Sequence, residues 1–150
     1  MTNCFICDRI QDIKNNKNPN FVCELETGYV ILLGNKLWPG YTLFTCKIHA
    51  CELHELPVDF KARYLEEMMT VSKYVWDIFQ PKKLNYELLG NGEPHLHWHI
   101  VPRSVNEVEP YSKDPIWTYA KEERLARVAD NELLPLVESF KSQIERLRQI

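Results

Sequence analysis

Three histidines on alternating positions, His95, His97 and His99, constrain this chain more than any other feature. Successive side chains of a β-strand point to opposite faces, so residues i, i+2 and i+4 project together. Read as a strand, the segment 94–103 (PHLHWHIVPR) lines one face with three imidazoles, while Leu96, Trp98 and Ile100 fill the other. The apolar side suits burial on a core and the imidazole side suits a cleft. Imidazole is the one side chain whose ordinary pKa lets it act as base, nucleophile or metal ligand near neutral pH. Spacing alone leaves three readings open: a metal site, a nucleophile with neighbours that orient it, or unrelated surface histidines.

Length and charge narrow the classes. A chain of 150 residues builds one core. Its 18 basic and 21 acidic residues leave a net charge of −3, with no Lys/Arg run longer than two. Nucleic acid is therefore not an expected partner, and a small phosphate ligand needs a local site. No apolar stretch of membrane-spanning length and no signal peptide is present, so a membrane is not an expected partner and the cytoplasm is the expected compartment. Five cysteines without an export signal read as thiols or metal ligands, not as a disulfide framework.

Patterning predicts an α+β fold. Residues 11–20 read as a short polar loop and 21–25 as a strand. The apolar run 28–33 and the segment 41–46 form a hairpin across the turn signals Gly34-Asn35 and Trp38-Pro39-Gly40. Pro57 opens one long helix in which Phe60, Tyr64, Met68, Val71, Val75 and Phe79 recur at helical spacing, and Pro81 ends it. A strand at 84–89, a tight turn at 90–94, the histidine strand, a loop at 114–117 and a C-terminal helix over 131–149 complete the order. Short connections favour an antiparallel sheet. A division into a domain of residues 1–110 and an extension of 111–150 packed on it is expected.

Other residues carry weaker signals. Cys4 and Cys7 have the spacing of a zinc chelate, but a tetrahedral site needs two more ligands, for which the histidines, Cys23, Cys46 and Cys51 are candidates. A redox motif requires a preceding strand that this segment lacks. His49 and His54 read as ordinary polar residues. Asn91, between two glycines, is either an ordinary turn or part of an anion-binding concavity. Trp117 is a core or interface residue, or one that reaches a neighbouring site.

The run His95-Leu96-His97-Trp98-His99-Ile100-Val101 resembles the signature of the histidine triad (HIT) family. The resemblance extends to Cys4-Phe5-Ile6-Cys7, to Pro39-Gly40-Tyr41-Thr42-Leu43-Phe44 with Lys47-x-His49, and to Pro102-Arg103. Residues 85–91 (NYELLGN) are similar to a subgroup described as dinucleoside-polyphosphate-hydrolase-like. The resemblance implies a HIT-like fold, an antiparallel sheet with one long helix and a C-terminal helix, assembled as a homodimer. It implies a nucleotidyl hydrolase or transferase in which neutral His97 attacks an α-phosphorus and forms a nucleotidyl-histidine that water resolves. His99 and Asn91 would contact phosphate, and Phe5, Ile6 and Ile31 would form the base pocket. Cys4, Cys7, His49 and His95 would hold a structural zinc ion.

Two departures stand out. Many members carry a Gly-Gln-Ser/Thr segment whose side chain assists the leaving group, whereas only Gly92-Glu93-Pro94 separates Asn91 from His95. Members also commonly grip the ribose with an aspartate, where this chain has Leu33 and, as nearest polar substitute, Asn35. The expected activity is hydrolysis of dinucleoside polyphosphates or related nucleotidyl compounds. The rivals are a nucleoside phosphoramidate hydrolase or nucleotidyl phosphorylase, and a non-catalytic zinc-stabilised nucleotide-binding module.

Overall fold

The computed structural model describes residues 4–104, 106–107 and 113–149. The boundary expected between residues 110 and 111 lies outside them. Five strands, β1 (Phe21–Glu24), β2 (Gly28–Leu32), β3 (Thr42–Cys46), β4 (Lys83–Glu87) and β5 (His97–Arg103), form one sheet in the order β1-β2-β3-β5-β4. Every neighbouring pair is antiparallel, so the α+β expectation holds. The helices are α1 (Phe5–Lys14), α2 (Val58–Phe79), the short α3 (Lys121–Arg124) and α4 (Asp130–Arg148).

Alternation along the strands divides the core in two. Val30, Leu32, Phe44 and Ile100 face α2 and α4, where they meet Tyr64, Val71, Val75, Val137 and Phe140. Full burial of each such aliphatic or aromatic side chain contributes about 1.5–3 kcal/mol. Tyr29, Ile31, Leu43 and Val101 face the other way, against Ile6, Ile10 and Ile13 of α1 and the rings of Trp38 and Tyr41. In β5 the odd positions 97, 99 and 101 therefore point towards α1, while Trp98 and Ile100 point towards α2. That is the division the histidine spacing demands.

Two expectations need correction. Residues 11–14 are helical, not loop. Ile6, Ile10 and Ile13 recur at helical spacing and bury one stripe, while the Cys4 sulfur caps the first turn by accepting the Cys7 N–H at 3.4 Å. The second correction concerns His95, which precedes the strand because β5 begins at His97. Pro94 has no N–H to continue a ladder. Leu96 instead donates to the Ala50 carbonyl and accepts from Cys46 N–H, which holds His95 at the edge of β3.

The C-terminal segment packs on both sides of the sheet, Ile116 on the α1 side and Leu133 of α4 on the α2 side. Gly34 has φ +63°, and a Cβ there would lie 2.7 Å from Leu133 of α4, so only glycine permits this approach. Beside it, Val128 N–H donates to Gly34 and Lys36 N–H to Ala126, framing an isolated bridge between Asn35 and Arg127.

Candidate active site and metal centre

His97 lies opposite Thr45 of β3, and His99 lies between Leu43 of β3 and Glu87 of β4. The His97 Nδ1 is 2.7 Å from the His95 carbonyl oxygen. A carbonyl only accepts, so Nδ1 carries the proton and Nε2 keeps its lone pair. Nε2 has no hydrogen-bond partner among the described residues. It is also not sealed, since the fully enclosed unpaired side-chain atoms among those residues are the indole nitrogens of Trp38 and Trp98. The residue as a whole is 8% exposed, so the ring is buried apart from this opening.

His99 has the opposite tautomer. Its Nδ1 is 2.6 Å from the Tyr41 hydroxyl. Burial raises the Tyr41 pKa, so the phenol stays protonated, and with no other acceptor for that proton among the described residues it is donated to His99. Nδ1 of His99 then accepts, and its Nε2 bears the hydrogen. Burial, and after it the neighbouring His97, lowers the His99 pKa to about 4, so the ring is neutral at pH 7. The two rings stand nearly edge to face with centroids 4.8 Å apart. The pair thus offers one bare lone pair beside one N–H donor, which suits attack on an electrophile whose oxygens need hydrogen bonds.

A second constellation forms where α1 meets the end of β3. Cys4 Sγ lies 3.6 Å from His95 Nδ1, and Cys7 Sγ lies 3.4 Å from the same atom and 3.3 Å from His49 Nδ1. All four donor atoms are within 4.8 Å of one another. For Zn–S of ~2.3 Å and Zn–N of ~2.05 Å, a tetrahedral S···N edge is about 3.6 Å, so the three separations fit one ion. The outer contact fits as well. His95 Nε2 donates to the Cys46 carbonyl at 2.8 Å, which leaves Nδ1 unprotonated for a metal. Burial lowers the His95 pKa and keeps the imidazole neutral. Burial and the Cys4 sulfur push the Cys7 thiol up to about 11. The protein alone therefore does not favour a thiolate here, and a bound cation would supply that charge. These four residues can hold a metal, and the two-sulfur, two-imidazole set suits zinc.

The sequence-predicted binding residues disperse. Ile6 and Ile31 are core, at 4% and 0% exposure, whereas Phe5 is exposed with the Arg9 guanidinium 4.9 Å from its ring centroid. Asn91 is exposed in the turn before the histidines. The Asn35 amide is already engaged: it donates to the Arg124 carbonyl at 2.7 Å and accepts from Leu37 and Trp38 N–H. A cleft of about 170 Å³ reaches His99 and runs between Tyr41 and Trp117 to Asn35, Arg124 and Arg127. A larger hollow of about 680 Å³ follows β4 past Lys82, Asn85 and Arg103 but has no histidine. Size does not locate the chemistry.

Sequence reasoning missed Tyr41, Arg124 and Arg127. Tyr41 was legible only through the β3–β5 register, which no local pattern reveals. Trp117 lies within its own chain's site, edge to face with His99 at 5.7 Å and donating to Glu87 Oε2 at 2.6 Å. Arg124 is 5.0 Å from the Trp117 ring centroid.

Comparison with known proteins agrees with this fold. The HIT domain family model matches residues 14–106. No curated protein matches the chain by sequence. A histidine triad protein from Bradyrhizobium japonicum superposes with a TM-score of 0.70 at 23% identity, covering 87% of this chain and 94% of its own. A hypothetical histidine triad nucleotide-binding protein from Sulfolobus tokodaii gives 0.71 at 22% identity, covering 95% and 94%. The diadenosine triphosphate hydrolase of Plasmodium falciparum gives 0.58 at 16% identity, covering 85% and 78%. Among the described residues no helix is long and apolar enough to cross a membrane. With the family model spanning more than half of its length and the fold shared with these structures, the chain belongs to the HIT family.

Proposed function

We propose that the protein is a nucleotidyl hydrolase that cleaves dinucleoside polyphosphates, or related nucleotidyl compounds, at the α-phosphate through His97. The observation that carries this reading is the His97 tautomer, with Nδ1–H held by the His95 carbonyl at 2.7 Å and Nε2 left without a partner. The structural similarity to a diadenosine triphosphate hydrolase supports the choice of substrate class.

The steps follow from the two tautomers. The His97 Nε2 lone pair forms a bond to the α-phosphorus, and the bond from phosphorus to the bridging oxygen breaks with its electron pair leaving on that oxygen. His97 becomes a phosphorylated imidazolium whose Nδ1–H stays on the His95 carbonyl. His99 Nε2–H stabilises a non-bridging oxygen as charge shifts. Water then attacks phosphorus, the phosphorus–nitrogen pair returns to Nε2, and the water proton passes to solvent. Asn91 is proposed as a further phosphate contact. Phe5, Ile6 and Ile31 are proposed to back the base, with Asn35 shaping the cleft through its backbone anchors.

Zinc at Cys4, Cys7, His49 and His95 is proposed as structural, pinning α1 to the end of β3. A homodimer is proposed through α2 and β4. Leu65, Met69 and Trp76 share one face of α2 at 37%, 60% and 44% exposure, and Tyr86 on the edge strand is 43% exposed.

Turnover of diadenosine triphosphate by wild type and His97→Ala tests the reading. The substitution is expected to reduce turnover to background with an unchanged circular dichroism spectrum. Retained turnover would remove His97 as nucleophile. Faster turnover of an adenosine phosphoramidate, or release of a nucleoside diphosphate when inorganic phosphate is added, would favour the related hydrolase or phosphorylase. Nucleotide binding with no turnover of either substrate would leave a binding module.

A further inference from the structure

We infer that the cleft between His99 and Arg127 is a subsite for a second phosphate group of the substrate, held by the Arg124 and Arg127 guanidiniums of the C-terminal segment. This rests on the reading of His97 and His99 as the place of the reacting phosphate, and it adds what the rest of the substrate must be.

Three observations converge. The first is charge without a partner. Arg9, Arg124 and Arg127 form no ion pair with a carboxylate among the described residues. Arg127 also lies close enough to Arg9 for their like charges to repel. Arg124 and Arg127 line the cleft, and unpaired like charges held close together are costly unless an anion joins them. The second is positioning. Arg124 Nε donates to the Tyr119 carbonyl at 3.2 Å while its guanidinium lies against Trp117, whose own N–H is fixed on Glu87. Arg127 is carried by the bridge to Asn35, whose amide also ties down the Arg124 carbonyl. Both cations are therefore mounted on an anchored segment. The third is volume. The cleft encloses about 170 Å³, below the ~300 Å³ at which pockets for nucleoside-sized molecules begin. A phosphate group fits within that volume.

The chemistry named is a phosphate on the same molecule as the reacting one. It has two sources: the phosphoanhydride chain of a polyphosphate, or a phosphate carried on the ribose. The segment that holds it lies beyond residues 14–106, the part shared with the family model. Its two arginines would thus select among substrates that the histidines alone treat alike.

Calorimetric binding separates these. Pyrophosphate, adenosine 5′-triphosphate, adenosine 3′,5′-bisphosphate and adenosine 5′-monophosphate are titrated into wild type, Arg127→Gln and Arg124→Gln. Loss of one charge-assisted contact is expected to weaken binding roughly ten- to hundredfold. That loss should appear with pyrophosphate and with either the triphosphate or the bisphosphate, whichever carries the second phosphate in the right place. The monophosphate should change by less than about threefold. Equal losses for all four ligands, or none for any, would overturn the inference. Arg127 is exposed, so its variant folds and keeps the test decisive if Arg124→Gln lowers the melting temperature. Arginine-dependent pyrophosphate binding without nucleotide turnover would retain the subsite and reject the hydrolase, whereas His97-dependent turnover indifferent to both arginines would do the reverse.

Discussion

Stripping metal from the Cys4–Cys7–His49–His95 cluster should lower the melting temperature by a calculable amount. The donor atoms already stand at S···N separations of 3.3–3.6 Å, close to the ~3.6 Å edge of a zinc tetrahedron. Little rearrangement is therefore needed on binding, and nearly all of the metal affinity stabilises the folded chain. With free zinc at about 1,000 times Kd, the linkage term is about 4 kcal/mol. For a chain of this length each kcal/mol moves the midpoint by about 2–4 °C, so the shift should be about 8–16 °C. Differential scanning calorimetry of zinc-loaded and chelator-treated protein, with zinc content read in parallel, measures it. Cys7→Ser should bind substoichiometric zinc and melt with the chelated form. Cys51→Ser should match wild type, because Cys51 is exposed and outside the cluster. If loaded and stripped protein melt within about 2 °C of each other, the ion contributes under 1 kcal/mol and the structural role is refuted.

Tyr41→Phe removes the hydroxyl that sets the His99 tautomer and should lower kcat about tenfold with the fold intact, in keeping with the loss of one hydrogen bond; an unchanged kcat would show that His99 needs no such partner. His99 binds a proton more weakly folded, at about 4, than unfolded, near its ordinary 6.5. Its contribution to stability is therefore full above pH 6.5 and is lost as pH falls from there through 4. The difference in unfolding free energy between wild type and His99→Gln, followed by urea titration from pH 7 to 4, should decline over that window, and a flat difference would contradict the assignment. Met69→Glu, placed on the exposed face of α2, should halve the mass measured by light scattering if α2 forms the dimer interface; an unchanged dimer would move the interface elsewhere.

The fold was legible where side-chain period is the whole signal. The hairpin 28–46, the stripe from Tyr64 to Val75 on α2 and the two-faced histidine strand all follow from periods of 2 or 3.6. The signal failed where a short amphipathic helix is mostly polar. In α1 three isoleucines are separated by charged and amide residues, so the stripe was hidden until its partner face was known. The cluster of Cys4, Cys7, His49 and His95 came from family resemblance, because ligands spread over 91 positions leave no local trace. Arg124 and Arg127 carry no pattern at all. Their position depends on Gly34 admitting Leu133 and on the bridge at Asn35, and both are tertiary facts.

His95 shows how the row would divide its labour. Its imidazole is fixed at both nitrogens, Nε2 on the Cys46 carbonyl and Nδ1 among the sulfurs, and its own carbonyl accepts the hydrogen bond from His97 Nδ1–H. The tautomer of the ring proposed to react is thus set by main chain instead of a carboxylate. The difference matters for an anionic substrate. A carboxylate in place of that carbonyl would lie ~6–7 Å from the phosphorus, where two unit charges repel by about 2–3 kcal/mol at an effective dielectric of about 20. That is roughly a fiftyfold loss of affinity for each charge on the reacting phosphate. A carbonyl orients the ring without that repulsion, and Tyr41 does the same for His99 with a neutral hydroxyl. Both histidines are therefore aligned by uncharged partners. The charged groups around the cleft are Glu87, held by Trp117, and the two arginines, whose attraction for phosphate can be added without altering either tautomer.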